Sequence, residues 1–262
     1  MDSQFTNESR GSATFPLNND FIHVWAVHCS VMQKQIPLFS EFLSEEEKIR
    51  LDNFKFSLLK KHFIIRRGIL RLILGNYLEK DPGEIKFSYD QQGKPYLKDN
   101  KQFRKKSKTI CFNLTFSHDV ILYAFTLQDK IGIDIEYVQD QLIHGGVEEQ
   151  FFSLAELTQF NKTCGKQRAR SFFQAWTRKE AIAKTIGKGL LFPLEKIEVT
   201  LGHYPRALKI KEDEEIAKNW KLYNIDQLNG YVGTIATEGM KKKLKFITIR
   251  QELLSQLLKL EI

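Results

Sequence analysis

The sequence predicts an α+β fold of two similar subdomains, each a long helix packed on antiparallel strands, related by a pseudo-twofold duplication. Helical periodicity is sustained twice, over roughly Ser57 to Lys80 and again over Gln167 to Ile186. A breaker closes each run, Asp81-Pro82-Gly83 after the first and Gly187 after the second. Each helix is followed by several short alternating runs that read as antiparallel strands. No convincing sequence repeat accompanies this parallel between the halves.

Taken in order, residues 1–18 are polar and read as a flexible leader, residues 19–129 as an N-terminal subdomain, and residues 130–262 as a C-terminal subdomain. Phe21 to Cys29 alternates as a strand. Ser44 with Glu47 forms a capping box that opens a helix carrying Leu51 and Phe54. The long helix that follows has a broad apolar stripe (Phe63, Ile64, Leu70, Ile73, Leu74, Tyr77) and a basic side (Lys60, Lys61, Arg66, Arg67, Arg71). Ile85 to Tyr89 is a strand, QQGKP a turn, and further strands run near Thr109 to Ser117 and Val120 to Leu127. Lys130 to Tyr137 opens the second half. A Gly145-Gly146 turn leads to a short helix around Glu148 to Phe152, and Ser153 with Glu156 forms another capping box. After the second long helix, Gly189 and Pro193 mark an exit loop. Strands follow near Ile197 to Thr200, Trp220 to Ile225, Tyr231 to Thr237 and Phe246 to Arg250, then a C-terminal helix with Leu253, Leu254, Leu257 and Leu258.

With 42% hydrophobic and 27% charged residues, the composition is that of an ordinary globular protein, and most of the 20 phenylalanines fall inside the periodic segments as core. No apolar run approaches the roughly twenty residues that span a bilayer, and the N-terminus lacks a signal-peptide layout. Cys29, Cys111 and Cys164 are odd in number, scattered and without CxxC spacing, which argues against a disulfide framework or a zinc site. A cytoplasmic location is therefore expected. The net charge of +8 suits plain solubility, a nucleic-acid surface, or a surface for an acidic ligand and partner. The basic stretch Lys101 to Lys108 reads by default as a solvated loop.

Two segments carry chemistry. In GIDIE (Gly132 to Glu136), strand alternation turns Ile131, Ile133 and Ile135 to one face and projects Asp134 and Glu136 together from the other. Two carboxylates on one face repel unless a positive charge lies between them. In WTRKEAIAK (Trp176 to Lys184), helical spacing aligns Trp176, Lys179, Glu180, Ala183 and Lys184. Three carboxylates suit a hard, oxygen-seeking ion such as Mg²⁺, and lysines beside them suit phosphate, which points to phosphoryl transfer. Either segment alone is most often a solvated face or a salt-bridged surface; the two together, in this order, are far more specific.

With those motifs in hand, the chain resembles the Sfp-type 4′-phosphopantetheinyl transferases, whose signatures read approximately GxDxE and WxxKEAxxK. The similarity runs from about Phe21 to Thr237. It implies two α+β subdomains with coenzyme A and Mg²⁺ (or Mn²⁺) in the cleft between them. The implied reaction moves the phosphopantetheine arm onto a serine of an acyl or peptidyl carrier protein, with release of 3′,5′-ADP. Family members of this length are usually monomers and resemble the broad-specificity group of polyketide and nonribosomal-peptide synthesis; neither nucleic acid nor membrane is an expected partner. The resemblance assigns Asp134, Glu136 and Glu180 to the metal and Lys184 to the diphosphate. It makes Glu156 a candidate general base, while the capping box offers the same residue a structural role. Lys179 reads equally well as a surface lysine, and Trp176 as a packing residue. Lys94 and Pro95 match a coenzyme A motif, GKP, that is also a common turn. Arg67 falls where basic residues approach the nucleotide, although helical arginines pair as readily with carboxylates.

Two positions depart from the family pattern. After FNL the family usually carries Ser-His-Ser, whereas here Thr115-Phe116-Ser117-His118 follows, so Phe116 stands where the histidine belongs. His118, two residues after Phe116 and on the same strand face if the strand continues, is then a candidate for the coenzyme A contact from a shifted position; alternatively Ser117-His118 is the motif after a local slip with a compensating bulge, or the contact is lost. His62 replaces an arginine often seen before the phenylalanine of the long helix. The competing readings are a Mg²⁺-dependent nuclease or nucleic-acid-binding protein, which lacks any recognisable binding motif here, and a relative that binds without turnover.

Overall fold

The computed structural model describes residues 15–98, 109–139, 146–187, 192–211 and 213–258. Most of the expected leader, the Lys101 to Lys108 loop, Gly145 of the Gly-Gly turn and Gly189 of the exit loop lie outside the described residues. In chain order the elements are β1 (Phe21–His28), α1 (Ile36–Glu41), α2 (Glu45–Asp52), α3 (Ser57–Leu78), β2 (Phe87–Tyr89), β3 (Pro95–Leu97), β4 (Ile110–Ser117), β5 (Val120–Leu127) and β6 (Ile131–Tyr137). The second run comprises α4 (Leu154–Phe160), α5 (Gly165–Ile186), β7 (Ile197–Val199), β8 (Ala207–Ile210), α6 (Glu214–Lys218), β9 (Trp220–Ile225), β10 (Tyr231–Glu238), β11 (Lys243–Thr248) and α7 (Gln251–Leu257).

Local chemistry sets the boundaries. Both expected capping boxes form, with Ser44 and Ser153 accepting from the backbone of Glu47 and Glu156 and each glutamate returning the bond. α3 ends at Glu79 and α5 at Gly187, both left-handed. The short β3, β8 and α6 escape a periodicity argument because each spans five residues or fewer.

One sheet has the order β11-β1-β5-β4 and the other β6-β10-β9. β1 pairs antiparallel with β5 and β6 with β10, and in each half a two-stranded hairpin follows the 22-residue helix. Strand alternation then divides the apolar residues among three cores. Trp25 and Val27 of β1 meet Phe63, Ile65 and Ile69 of α3. Ile22, Val24 and Ala26, on the opposite face, meet Ile131, Ile133 and Ile135 of β6. Phe172, Phe173 and Ile182 of α5 cover Val232 and Ala236 of β10. The layers therefore run α3, first sheet, second sheet, α5.

Two expectations are corrected. The C-terminal segment does not stay with the second half: β11 pairs parallel with β1, and α7 packs Leu254 and Leu257 into the α3 core, with Asn76 Nδ2 donating to Leu257 O at 3.0 Å. The leader ends earlier than residue 18, since the Phe15 ring packs edge-on against Trp25 at 4.9 Å between centroids. Among the described residues, no helix is long and apolar enough to cross a membrane.

A candidate active site along the open edge of β6

Among the described residues, β6 pairs with β10 on one edge and with no strand on the other. On the other edge β4 lies alongside, and side chains rather than a backbone ladder close the gap. Ile133 N donates to Asn113 Oδ1 at 2.9 Å and Tyr137 N to Ser117 Oγ at 3.1 Å. Lys184 Nζ donates to Ile133 O at 3.2 Å and Lys94 Nζ to Ile131 O at 3.1 Å. The backbone groups thereby satisfied would otherwise be buried orphans.

The other face of β6 meets α5 at close range. A Cβ on Gly132 would lie 2.0 Å from Ala181 O and 2.8 Å from Thr185 N, so only glycine admits the helix this near. That approach brings Glu180 and Lys184, one helical turn apart, over Asp134 and Glu136. Asp134 Oδ1 accepts from Lys184 Nζ at 2.6 Å and from Thr115 Oγ1 at 3.1 Å; Glu136 Oε2 accepts from Ser117 Oγ at 3.0 Å. Asp134 Oδ2 and Glu180 Oε1 are buried and have no hydrogen-bond partner among the described residues. Burial, and then the Asp134 charge, push the Glu136 and Glu180 carboxyls above the usual glutamate range, with Lys184 offsetting part of the rise.

This arrangement fits a hard cation in its chemistry: an all-oxygen donor set, two unsatisfied buried oxygens and excess negative charge. The side chains are not drawn in around such an ion. Among the described residues, no three His, Cys, Asp or Glu groups are gathered into a metal-binding cluster, and Lys184 supplies the positive charge beside Asp134.

Lys184 also lines a cleft of about 420 Å³ whose other cationic walls are Arg50, Arg66, Arg67 and Lys94. Arg67 is buried, pairs loosely with Glu47 at 3.5 Å, and keeps Nη1 without a hydrogen-bond partner among the described residues. Glu47 itself is taken by Arg71 at 2.8 Å. Lys94 is held between Ile131 O and Lys184 O, the latter at 2.7 Å, and burial pushes its ammonium down to about 8. Pro95 lines the cleft beside it.

Four predicted residues lie elsewhere or act differently. Glu156 is 1% exposed, and its oxygens accept from Ser153 N at 2.7 Å, Val199 N at 2.8 Å and Lys179 Nζ at 2.6 Å. It is placed as a cap and ion-pair partner, apart from the β6 carboxylates. Lys179 is no surface residue: it is fully buried and also donates to Phe151 O and Leu194 O. Burial raises Glu156 and lowers Lys179, each partly restored by the other. Ser117 turns into the seam between β4 and β6. β4 ends there, so His118 does not continue the strand face; it takes a left-handed φ of 50°, packs tilted at 45° against the Tyr137 ring at 4.8 Å between centroids and is not among the described residues that line the cleft. Phe116 lies instead beneath the Arg66 guanidinium at 4.0 Å. Trp176 packs edge-on to Phe151 at 4.6 Å, a packing role as expected.

Sequence reasoning missed Asn113, Thr115 and Arg178. The first two sit two apart on β4, a spacing that signals a shared face once β4 is known to flank β6. Arg178 is buried and binds Thr200 O and Gly202 O, both at 2.6 Å, pinning the loop after β7.

The sequence model of the 4′-phosphopantetheinyl transferase superfamily matches residues 130–236, and that of the 4′-phosphopantetheinyl transferase N-terminal region matches residues 29–126. The chain is 32% identical over 230 residues to the 4′-phosphopantetheinyl transferase HetI of a Nostoc species, covering 88% of this chain and 93% of that protein. It is 26% identical over 169 residues to the 4′-phosphopantetheinyl transferase Sfp of Bacillus subtilis, covering 64% and 71%. The crystal structure of holo-[acyl-carrier-protein] synthase from Neisseria meningitidis aligns with 42% of this chain and 98% of its own, at 18% identity and a TM-score of 0.33, too distant to carry an argument.

Proposed function

The chain belongs to the 4′-phosphopantetheinyl transferase superfamily, and on that premise we propose that it transfers the 4′-phosphopantetheine arm of coenzyme A to a carrier-protein serine, with Mg²⁺ as the cofactor. The observation that carries the reading is the pair of buried, partnerless oxygens, Asp134 Oδ2 and Glu180 Oε1, next to a cleft walled by arginines and lysines. An anionic ligand suits the cleft, and a divalent cation suits the carboxylates.

Asp134, Glu136 and Glu180 are the residues that would hold Mg²⁺, which when bound supplies charge neutralisation for the diphosphate. Lys184, anchored by Asp134 and by Ile133 O, presents its ammonium along the cleft wall to the diphosphate oxygens. Arg67 and Lys94 serve the nucleotide end. The serine oxygen attacks the phosphorus on the pantetheine side; the bond from that phosphorus to the bridging oxygen breaks, and 3′,5′-ADP departs. Glu180 is the preferred acceptor of the serine proton among the carboxylates, because burial and then the Asp134 charge raise its proton affinity above the usual glutamate range. Glu156 is instead turned inward onto Ser153 N, Val199 N and Lys179 Nζ.

The repeated order of strand, long helix, hairpin and paired strands fits a duplicated half, and one chain then supplies both walls of the cleft, as a cytoplasmic monomer would. Carrier proteins of polyketide and nonribosomal-peptide synthesis are the proposed partners. The nuclease reading finds no support among the matched proteins. Asp134→Ala and Glu180→Ala test the assignment: transfer is abolished in both while the fold persists, and retained turnover in both would remove the metal role.

A further inference from the structure

We propose that Asn113 is a ligand-contacting residue, presenting its carboxamide N–H donors to a phosphate oxygen of the anion in the cleft. The inference rests on the coenzyme A reading above. Asn113 is buried, 7% exposed, on the strand that flanks β6, and it lines the cleft together with Leu114 and Lys184. Its orientation is forced. Ile133 N–H can be accepted only by the oxygen of the carboxamide, and Oδ1 does so at 2.9 Å. Nδ2 is therefore the atom left over, with two N–H donors. Among the described residues no hydrogen bond from Nδ2 is formed, yet Nδ2 is not one of the sealed-off orphans of the interior. The remaining direction is the cleft.

The neighbourhood defines what those donors meet. Lys184 grips the carbonyl of the same residue, Ile133, whose N–H Asn113 holds, so amide and ammonium emerge on either side of one backbone unit. A second cation in the Asn113 position would be drawn to Asp134. A neutral donor instead adds a hydrogen bond to an anionic oxygen and leaves the Lys184–Asp134 pair undisturbed. An oxyanion in reach of both groups suits them, and on the coenzyme A reading that oxyanion is a phosphate ester or diphosphate.

The test exploits Ser117, whose hydroxyl performs the same seam duty two pairs along by accepting Tyr137 N at 3.1 Å. Asn113→Ser keeps an acceptor for Ile133 N–H without the carboxamide donors; Asn113→Asp keeps the acceptor at its original reach. Titrating coenzyme A calorimetrically into wild type and both variants, with melting temperatures in parallel, separates the roles. The proposal expects near-native melting and a dissociation constant weakened roughly tenfold to a hundredfold, the loss of a hydrogen bond to a charged group. The aspartate variant is weakened most, since it faces the diphosphate with a negative charge. Wild-type affinity in both variants overturns the proposal, as does a fall in melting temperature with unchanged affinity, which would mark a seam residue only. If the serine variant does not fold, Asn113→Thr, which keeps a hydroxyl acceptor and adds neither a carboxamide nor a charge, decides by the same criterion. Failure of wild type itself to bind coenzyme A would instead overturn the functional reading on which the proposal stands.

Discussion

The Lys184 ammonium lies 2.6 Å from Asp134 Oδ1 and donates at the same time to the carbonyl of Ile133 at 3.2 Å. One helical residue thus holds both the side chain and the backbone of the strand that carries the candidate metal carboxylates. The contact depends on how closely α5 can lie on β6, which Gly132 decides. It also ties chemistry to packing: a change that lifts α5 alters stability and the site together.

Gly132→Ala tests that dependence. The added methyl would meet Ala181 O and the Thr185 backbone well inside contact distance, so the helix has to shift. Overpacking of this kind costs roughly 1–3 kcal/mol, or about 2–4 °C of melting temperature per kcal/mol at this chain length. Transfer activity is expected to fall by more than the fraction unfolded, because Lys184 and Glu180 move with the helix. Full activity with unchanged melting would show that the approach is not needed.

Glu156→Gln distinguishes a base from a strut. Glutamine still serves as a capping-box partner, but it leaves the buried Lys179 ammonium unpaired. Breaking a buried ion pair costs about 3–5 kcal/mol. The expected result is a marked loss of melting temperature with turnover kept per folded molecule. A general-base role would produce the reverse, a native melt and a dead enzyme.

Glu136 and Glu180 give the metal-free protein a characteristic pH response. Their carboxyls are raised above 4.5 in the fold, so the folded state binds protons more readily than the unfolded chain. Stability contributed by the protonated groups is present below the ordinary glutamate value and is lost as pH rises through the raised values. Melting of EDTA-treated protein should fall across that window, and Mg²⁺ should restore it more strongly at neutral than at acidic pH. Asp134→Asn, which removes the charge second only to burial in raising both groups, should flatten the response. A Mg²⁺ effect that is the same at every pH would count against carboxylate ligation.

Lys94 predicts an alkaline limb. Its ammonium is held down to about 8 by burial, whereas a bound phosphate would favour the charged form. Coenzyme A affinity should therefore weaken as pH rises through about 8, and Lys94→Arg, which stays charged, should remove the decline. An unchanged decline in the arginine variant would place the titrating group elsewhere.

The parts legible in the sequence are those governed by local periodicity. Alternation from Ile131 through Glu136 put three isoleucines in the intersheet core and both carboxylates under α5, and the capping boxes and the αL stop at Gly187 followed from single residues. Partnerships across the chain were not legible. Glu156 and Lys179 are 23 positions apart, and only burial makes them partners. Asn113, Thr115 and Ser117 gained meaning when β4 proved to flank β6 without a ladder. His118 left its strand because the β4–β5 turn needs a left-handed residue there, and β11 returned to the first sheet through a parallel pairing that no local pattern encodes.

Intact mass of an apo carrier protein, incubated with this chain, coenzyme A and Mg²⁺, tests the central claim most directly. The account predicts a mass gain of one phosphopantetheine that disappears with EDTA and with Asp134→Ala. A gain that persists under both treatments would contradict the metal site at Asp134, and a wild-type chain that neither binds coenzyme A nor modifies any of several carriers would contradict the transferase reading itself.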